Sequence, residues 1–417
     1  MSNTKVCVIG LGYIGLPTAV LIANQSMHVV GVDVNQAAVD KINQGVAHIV
    51  EPDLDIALRM AVDGGFLKAS LKPEEADVFI IAVPTPFTKD HQADLSYVHA
   101  AVESIAPFVH SGNLIVLEST SPPNTTNSIC QQLKKVRNDL QVPGVDKQSD
   151  IAVCYCPERV LPGKILQELV ENDRILGGVT QQCAEKAKIF YQQFVKGECL
   201  LTQARTAEMA KLAENAHRDI NIAFANELAN IAGTQKVNPW ELIALANRHP
   251  RVNILSPGPG VGGHCIAVDP WFLINAAPEQ SSLMRQARHI NDARPAYIVE
   301  QVKKELLNLN KPTIACLGLS YKRDIDDFRE SPALQIVEML SALKLAKLLV
   351  VEPHVNTLPP SLNTEHVELT ELSNAIKRAD VVLLLVDHQL FKNLDQSLLV
   401  DKTVFDTRGI WQLACVE

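Results

Sequence analysis

A cysteine in a glycine-rich segment is the residue of this sequence best placed for covalent chemistry. Cys265 lies in the run 260–269, where glycines precede it and Asp269 follows it by four residues. Glycines let a backbone approach a ligand closely, and an accessible thiolate can attack a substrate carbon. A single cysteine is more often a small buried apolar side chain, but these neighbours favour a nucleophile. A dyad with His264 is disfavoured, because adjacent residues rarely direct their side chains at each other.

A polar stripe on a long helical segment is the second candidate for chemistry. Lys211, Asn215 and Arg218 are spaced by four and three residues, so they share one face of a helix. Such a stripe is more often simply solvated. However, asparagine is mildly unfavourable inside a helix, and a lysine can stabilise an alkoxide or, when burial lowers its pKa, accept a proton. At the level of the residues both interpretations stay open.

Glycines near the N-terminus predict a dinucleotide site. Gly10, Gly12 and Gly15 match the pattern G-x-G-x-x-G directly after an apolar run, and a second apolar run ends at Asp33. The glycines permit a tight turn that brings backbone N–H groups to a pyrophosphate at a helix N-terminus. A carboxylate about 20 residues further on accepts hydrogen bonds from a ribose 2′-hydroxyl and repels a 2′-phosphate. We therefore predict NAD, in preference to NADP, as the cofactor.

The elements that position these groups follow from alternating apolar and helical patterns. Apolar runs that predict strands alternate with helical segments in two stretches of the chain, and the middle has helical spacing with no Pro or Gly over 206–232. A second helical stretch covers 281–308. The predicted strands are 5–9, 28–32, 77–83, 114–117, 151–155, 174–178, 313–317, 346–351, 381–386 and 403–406.

This order of elements predicts an α/β protein. We expect two Rossmann-like, doubly wound parallel-sheet domains joined by a helical middle domain built on a long helix. The expected boundaries are 1–200, 201–308 and 309–417. Because ligands bind at the carboxyl ends of strands in such sheets, the hydroxyls of Thr85 and Thr120, which follow two predicted strands, are candidate cofactor contacts.

Composition excludes several classes of protein. The 417 residues carry a formal net charge of −9, which disfavours binding to nucleic acid or to an acidic membrane surface. Nine cysteines without framework spacing argue against a disulfide scaffold and fit a reducing, cytoplasmic setting. We expect no metal site, since no Cys/His pairs have zinc spacing. We also expect no transmembrane or targeting segment.

Together these motifs resemble the nucleotide-sugar 6-dehydrogenases, the UDP-glucose/GDP-mannose dehydrogenase family. The resemblance extends over nearly the whole chain. Beyond the N-terminal glycines with Asp33, the matching segments are 83–86, 118–120, 157–159, Lys211 with Asn215, 262–265 with Asp269, 321–322 and 329–332.

The family implies a double oxidation of the C6 alcohol of a UDP-sugar with NAD. Lys211, or a water held by Asp269, takes the hydroxyl proton, and Cys265 captures the aldehyde as a thiohemiacetal that becomes a thioester. Glu158 and Asp269 are the carboxylates expected to assist hydrolysis by water. Lys211 and Asn215 are expected to stabilise the oxyanion, since donors already in place act where charge develops.

The resemblance also implies binding residues and an assembly. Further cofactor contacts are expected from Tyr13, Ile14, Thr125 and Arg329. A homodimer is expected through the helical middle domain. The UDP-sugar requires cations and nearby groups, for which arginine is well suited, and the expected set is Arg159, Val160, Lys211, Asn215, Arg218, His249, Arg251, Gly262, Tyr321, Lys322 and Arg408.

Two other functions remain as alternatives. The β-hydroxyacid dehydrogenases share a nucleotide domain and a helical domain with Lys and Asn four residues apart, but they need neither Cys265 nor a third domain. A non-catalytic regulator would bind NAD and a nucleotide sugar without forming NADH. Four-electron stoichiometry separates both from the family reaction.

Overall fold

A computed structural model describes residues 4–88, 90–161 and 163–411 of the chain. The ends of the first and third predicted domains, 1–3 and 412–417, lie outside the described residues. The chain divides into two compact units, one reaching to Glu214 and including Trp271–Ala276, the other comprising Asn215–Pro270 and the residues from Ala277 onward. Each unit is built around its own sheet.

The first part of the chain alternates strands and helices. Its elements are β1 (Lys5–Ile9), α1 (Gly15–Ala23), β2 (His28–Val32), α2 (Gln36–Asn43), α3 (Leu54–Asp63), β3 (Leu67–Ser70), β4 (Val78–Ile81), α4 (Ser96–Ile105), β5 (Leu114–Leu117), α5 (Thr125–Val136), β6 (Ala152–Tyr155), α6 (Ile165–Glu171), β7 (Arg174–Gly178), α7 (Gln181–Tyr191) and β8 (Cys199–Gln203).

The remainder opens with helices and returns to the alternating pattern. Its elements are α8 (Ala204–Thr234), α9 (Pro239–Ala246), α10 (Asp269–Ala276), α11 (Ser282–Leu306), β9 (Thr313–Leu317), α12 (Pro332–Leu343), β10 (Lys347–Val351), β11 (Val367–Leu369), α13 (Leu372–Arg378), β12 (Val381–Leu384), α14 (Gln389–Lys392) and β13 (Thr403–Asp406). The long helix predicted over 206–232 is confirmed as α8, and the one over 281–308 as α11.

The sheets have doubly wound topology. Strand order in the first is β3-β2-β1-β4-β5-β6-β7-β8, and in the second β11-β10-β9-β12-β13. All pairs are parallel except β6 with β7. In each sheet the order reverses beside the first strand of the unit, between β1 and β4 and between β9 and β12. The predicted pair of Rossmann-like sheets with helices between them is therefore confirmed, and ligand crevices are expected at these two reversals.

Both sheets are buried on two faces. Along β1, Val6 and Val8 face one apolar cluster, whereas Cys7 and Ile9 face another. The strand therefore alternates between two cores, which is why its sequence is a continuous apolar run. The second sheet is covered on both faces in the same way. Among the described residues, no helix combines the length and apolar character needed to cross a bilayer.

The two units use the same local geometry where the central strand ends. Gly10 follows β1 with a φ of +92°, and Gly318 follows β9 with a φ of +93°. Each donates its N–H to the last residue of the neighbouring strand, Gly10 to Val32 O at 2.7 Å and Gly318 to Val351 O at 2.9 Å. A side chain at either glycine would also collide with its surroundings, since an added Cβ would lie 2.7 Å from Ala82 O or 2.4 Å from Val386 Cβ.

We predict that Gly10→Ala destabilises the first unit more than Gly112→Ala does. Both glycines have nearly the same φ, +92° and +90°, but an added Cβ meets Ala82 O only at Gly10 and nothing within 4 Å at Gly112. The shared backbone strain costs about 1 kcal/mol, and the collision with a backbone atom should add roughly 1–3 kcal/mol. Denaturant unfolding of the ligand-free variants measures the difference, and equal losses would contradict this view of Gly10.

Candidate active site

The loop between β1 and α1 forms an open cradle. An added Cβ at Gly15 would lie 1.8 Å from Gly10 O, whereas one at Gly12 would meet nothing within 4 Å. Gly10 and Gly15 thus allow the tight turn, and Gly12 leaves space for a ligand. Ile14 occupies the N-cap position of α1, and Tyr13 is half exposed at 47%. The N–H groups at the start of α1 suit a pyrophosphate.

Asp33 ties this loop to the neighbouring strand. Its Oδ2 accepts the N–H of Leu11 at 2.9 Å, and its Oδ1 accepts the N–H of Asn35 at 2.9 Å. A carboxylate has about four acceptor positions, so both oxygens retain capacity for ribose hydroxyls. The cradle and the acid therefore fit NAD. The glycine loop would hold its pyrophosphate, and Asp33 its adenosine ribose.

The three predicted threonines follow β4 and β5 at the same edge of the first sheet, two of them in loops and one at the start of a helix. Thr85 follows β4, and its hydroxyl donates to Thr120 O at 2.6 Å, which joins the loops after β4 and β5. Thr125 begins α5, and its hydroxyl donates to Pro122 O at 2.7 Å while the side chain is buried. Thr85 and Thr120 are half exposed. The hydroxyl of Thr125 is instead used in a hydrogen bond within the turn that precedes α5. The cofactor roles of all three stay predictions.

Glu158 lies in a buried ion pair. Its Oε2 is 2.9 Å from Arg174 Nη1, and its Oε1 accepts the N–H of Arg159 at 2.6 Å. The side chains of Glu158 and Arg174 are 7% and 4% exposed. A carboxylate with these bonds is well suited to fix the loop it belongs to, and the role in activating water that the resemblance implied stays a prediction.

Sequence analysis named Glu118 only as part of the matching segment 118–120 and predicted neither its burial nor its partners. Glu118 Oε1 accepts the hydroxyl of Tyr191 at 2.7 Å, and Oε2 accepts that of Thr18 at 3.5 Å. Burial raises the pKa of Glu118 to about 7, although the guanidinium of Arg174 opposes the shift and the carboxylate of Glu158 adds to it. The partners are separated by 73 and 100 residues, so only the folded chain reveals them.

The loop after Glu158 carries two predicted substrate contacts. Arg159 Nε is 2.8 Å from Glu214 Oε1, so its charge is partly compensated, and Val160 is half-buried beside it. A second buried carboxylate, Glu51, accepts the N–H groups of Gly163 and Ile165 at 2.8 and 2.7 Å. The loop is therefore held at one end by Glu158 and at the other by Glu51.

Three of the predicted catalytic residues meet in the second unit. Cys265 is exposed, whereas the other described cysteines are buried. Its carbonyl oxygen accepts the N–H of Asp269 at 2.8 Å, so one helical turn leads from the thiol into α10. Asp269 is 3% exposed, and its Oδ2 accepts the side-chain N–H of Asn215 at 2.6 Å. The exposed thiol thus lies one helical turn before a buried carboxylate that holds an amide.

Lys211 precedes Asn215 by one turn of α8 and is half-buried. The shared helix face predicted for the two residues agrees with the confirmed helix, since residues four apart lie above one another. Lys211 belongs to the first unit and Asn215 to the second.

The glycines before Cys265 pack against the loop after β9. An added Cβ at Gly262 would lie 2.5 Å from Glu330 O, and one at Gly263 would lie 2.8 Å from the Tyr321 ring. Gly263 also donates its N–H to Arg329 O at 3.1 Å. The structure thus brings together Gly262 and Tyr321, two of the predicted substrate-binding residues, and no side chain fits at Gly262 or Gly263. The guanidinium of Arg329 itself is paired with Asp327 at 2.6 Å.

The remaining predicted cations are distributed over the second unit. Arg408 Nη2 lies 2.9 Å from Asp387 Oδ1, and its Nη1 lies 2.7 Å from where a Cβ at Gly258 would be. Arg408 therefore borders the same glycine-rich segment as Tyr321. The exposed residues are Arg218, His249, Arg251 and Lys322, and the structure gives them no common position.

We predict that Asp33→Asn raises the use of NADP relative to NAD. Loss of the negative charge removes the repulsion of a 2′-phosphate and weakens the acceptor for the 2′-hydroxyl. A change of at least about tenfold in the affinity ratio corresponds to about 1.4 kcal/mol. Titration of the protein with each dinucleotide measures it. Asp40→Asn, an exposed change on α2, is the control, and an unchanged ratio would remove Asp33 from the ribose site.

We predict that Glu118→Gln flattens the pH dependence of the stability of the first unit. A carboxyl group whose pKa rises from 4.5 to about 7 on folding contributes stability below pH 4.5 that is lost as the pH rises through 7. The loss amounts to at most about 3 kcal/mol. Glutamine keeps partners for Tyr191 and Thr18 without a charge. Urea unfolding at pH 5 and pH 8 tests this, with the exposed change Glu103→Gln as control, and parallel curves for wild type and Glu118→Gln would refute it.

Comparison with known proteins identifies the chain. Models of the UDP-glucose/GDP-mannose dehydrogenase family match residues 4–195 (NAD binding domain), 205–293 (central domain) and 315–413 (UDP binding domain). The first of these matches confirms the prediction of NAD as cofactor.

Full-length relatives agree with these matches. A protein of Ralstonia solanacearum named NDP-N-acetyl-D-galactosaminuronic acid dehydrogenase is 56% identical, over 97% of this chain and 96% of its own. A Campylobacter jejuni protein named UDP-N-acetyl-D-mannosamine dehydrogenase is 54% identical, over 95% and 98%. The structure of a UDP-N-acetyl-mannosamine dehydrogenase from S. aureus superposes with a TM-score of 0.86 at 45% identity, covering 99% of this chain and 96% of that one. The chain therefore belongs to the UDP-glucose/GDP-mannose dehydrogenase family, whose members are NAD-dependent oxidoreductases of nucleotide sugars.

Proposed function

We propose that this protein oxidises the C6 hydroxyl of UDP-N-acetyl-D-mannosamine to the carboxylate in two steps, with Cys265 as covalent anchor. The observation that carries this proposal is the exposed thiol one helical turn before Asp269, whose buried carboxylate holds Asn215. Bound NAD supplies an acceptor for one hydride in each oxidation. The overall change consumes one alcohol, two NAD⁺ and one water and yields one carboxylate, two NADH and three protons.

The residues of the chain divide the work as follows. In the first oxidation the C6 hydroxyl loses its proton to Lys211 or to a water held by Asp269. The Cys265 thiolate then adds to the aldehyde carbon and forms a C–S bond, and the thiohemiacetal is oxidised to a thioester. Water cleaves the C–S bond and returns the thiol. Asn215 and Lys211 donate to the oxygen on which negative charge develops.

The nature of the sugar is supported by relatives of two kinds. The manno sugar is favoured by relatives of 50–54% identity that are named for UDP-N-acetyl-D-mannosamine. A galacto sugar is the second candidate, because the 56% identical relatives are named for N-acetyl-D-galactosaminuronic acid. UDP-N-acetylglucosamine, which differs from the manno sugar only at C2, is a third. An aldehyde held as a thiohemiacetal does not leak between the steps, whichever sugar carries it.

We propose a domain organisation and an assembly that accompany this reaction. Domains over 1–200, 201–308 and 309–417 are supported by the three family segments at 4–195, 205–293 and 315–413. A homodimer through the helical middle domain is supported by large apolar side chains on α8 that are exposed in the single chain, Phe224 at 53% and Ile231 at 52%. Such side chains commonly mark interfaces.

The decisive experiment measures NADH formed per sugar consumed with the three UDP-N-acetyl-sugars offered separately. About two NADH from the manno sugar alone would support the proposal, and about two from another sugar alone would keep the reaction and change the substrate.

Cys265→Ala is expected to lower uronic acid formation at least about a thousandfold without weakening NAD binding. Ser256→Ala, at an exposed position of the loop that precedes Gly260, is the control. A Cys265→Ala variant that still forms two NADH per sugar would refute the covalent mechanism.

A further inference from the structure

A buried histidine beyond the predicted site joins two loops of the second unit. His388 follows β12 and is 0% exposed. Its Nδ1 accepts the backbone N–H of Asp324 at 2.9 Å, so a neutral ring carries its proton on Nε2. That nitrogen lies 3.3 Å from Glu352 Oε2 and 3.3 Å from Ser320 Oγ. Both ring nitrogens are therefore engaged, and the tautomer follows from the hydrogen bonds.

Glu352, which follows β10, holds the other end of the same segment. Its Oε2 accepts the N–H of Leu319 at 2.7 Å and that of Ser320 at 3.2 Å. Burial opposes ionisation, but hydrogen bonds from His388 and from the Leu319 amide outweigh it and lower the pKa of Glu352. The residues 319–324, here called the 319–324 turn, are thus fixed at their start by Glu352 and at their end by His388.

The 319–324 turn carries Tyr321 against the segment that precedes the proposed nucleophile. A Cβ added at Gly263 would lie 2.8 Å from the ring of Tyr321. A Cβ added at Gly262 would lie 2.8 Å from the Cβ of Tyr321. Cys265 is two residues beyond Gly263. Because the two glycines have no side chains, Tyr321 packs directly against their backbone on one side.

We infer that Glu352 and His388 are positioning residues, which fix the 319–324 turn so that Tyr321 supports the Gly262–Gly263 segment and aims Cys265 at the aldehyde carbon. This inference rests on the proposed function of Cys265. Neither side chain touches the reacting atoms. A misplacement of about 1 Å in a reacting group can cost about a hundredfold in rate, so a displaced thiol would capture the aldehyde slowly.

A metal ion is the competing explanation of the same cluster. Asp324, His354 and His388 offer ligand atoms that lie within 4.8 Å of one another. An ion shared by His388 and Asp324 would use Nδ1, because that nitrogen lies 3.6 Å from Asp324 Oδ1. Nδ1 already accepts the Asp324 N–H, so both nitrogens of His388 are satisfied by hydrogen bonds without an ion. We therefore favour the hydrogen-bonded arrangement, and metal binding becomes an outcome of the test.

Two substitutions separate the two nitrogens of His388. His388→Gln can place an amide near the position of Nε2, toward Glu352, but removes the acceptor for the Asp324 N–H. His388→Asn keeps an acceptor near the position of Nδ1 but loses the bond to Glu352. His366→Gln is the matched control, because His366 is a half-buried histidine of the same unit that bonds Ser341 O at 2.8 Å and does not belong to the 319–324 turn.

The test measures NADH per sugar and free aldehyde trapped by a hydrazine reagent. Wild type and His366→Gln are expected to form about two NADH and no free aldehyde. His388→Gln should fall toward one NADH with about one aldehyde released, since the first oxidation does not need the thiol. The NADH formed per sugar by His388→Asn should lie between the values for wild type and His388→Gln. A variant that is merely less stable would lose active protein without changing the ratio.

The outcomes separate this inference from the proposed function. If wild type itself forms one NADH or none, the proposed function fails. If wild type and His388→Gln both form two NADH without aldehyde, the positioning role is overturned. If His388→Gln does not fold, the ratio of His388→Asn decides in the same way. Zinc binding by wild type that is lost in His388→Gln, together with a wild-type ratio that falls on chelation, would replace the hydrogen-bonded arrangement with a metal site.

Discussion

The functional loops depend on hydrogen bonds that backbone N–H groups donate to acidic side chains. Asp33 accepts from the loop after β1, and Glu352 accepts from the loop after β9. Glu208, which is 0% exposed, accepts the N–H of Asn124 at 2.5 Å and that of Thr126 at 2.7 Å, where α5 begins. Loops at strand ends carry N–H groups that no sheet partner satisfies, and hydrogen bonds to a charged group contribute about 1.5–3 kcal/mol each. Acids contributed by distant parts of the chain thus fix loops that would otherwise move.

The same constraint gives the two units related crevices with different contents. Each central strand ends in a glycine of positive φ, and each neighbouring strand is followed by an acid that accepts the next N–H. In the first unit an open glycine cradle follows, which suits a dinucleotide. In the second unit the corresponding turn carries Tyr321, and it packs on the segment that leads to Cys265. A repeated backbone geometry therefore serves cofactor binding in one unit and, as we propose, support of the nucleophile in the other.

Charge in the first unit is distributed so that carboxyl groups take different roles. Glu158 is paired with Arg174, whereas burial raises the pKa of Glu118 to about 7 although it shares that neighbourhood. One cation stabilises one adjacent carboxylate well, and burial then favours the neutral form of the second. The loop with Arg159 and Val160 begins at Glu158, and the bond of that residue to Arg174 fixes the start of the loop. Asp269 in the second unit accepts a hydrogen bond from the amide of Asn215.

The sequence by itself determined the two sheets, the long helix α8, the NAD cradle and the family, because each is encoded in local spacing: continuous apolar runs, helical periodicity without Gly or Pro, and glycines at fixed intervals. The strands β3, β8 and β11 were missed. All three are edge strands, and the burial of β8 is confined largely to Cys199, so they lack the apolar run that marks a central strand.

Within the site, the spacing of Lys211 with Asn215 and of Cys265 with Asp269 could be read from the chain. The Asn215–Asp269 bond, the Glu118 cluster and the contact of Glu352 with His388 were decided by tertiary structure alone, since their members lie between 16 and 100 residues apart and no local pattern records which of them the fold brings together.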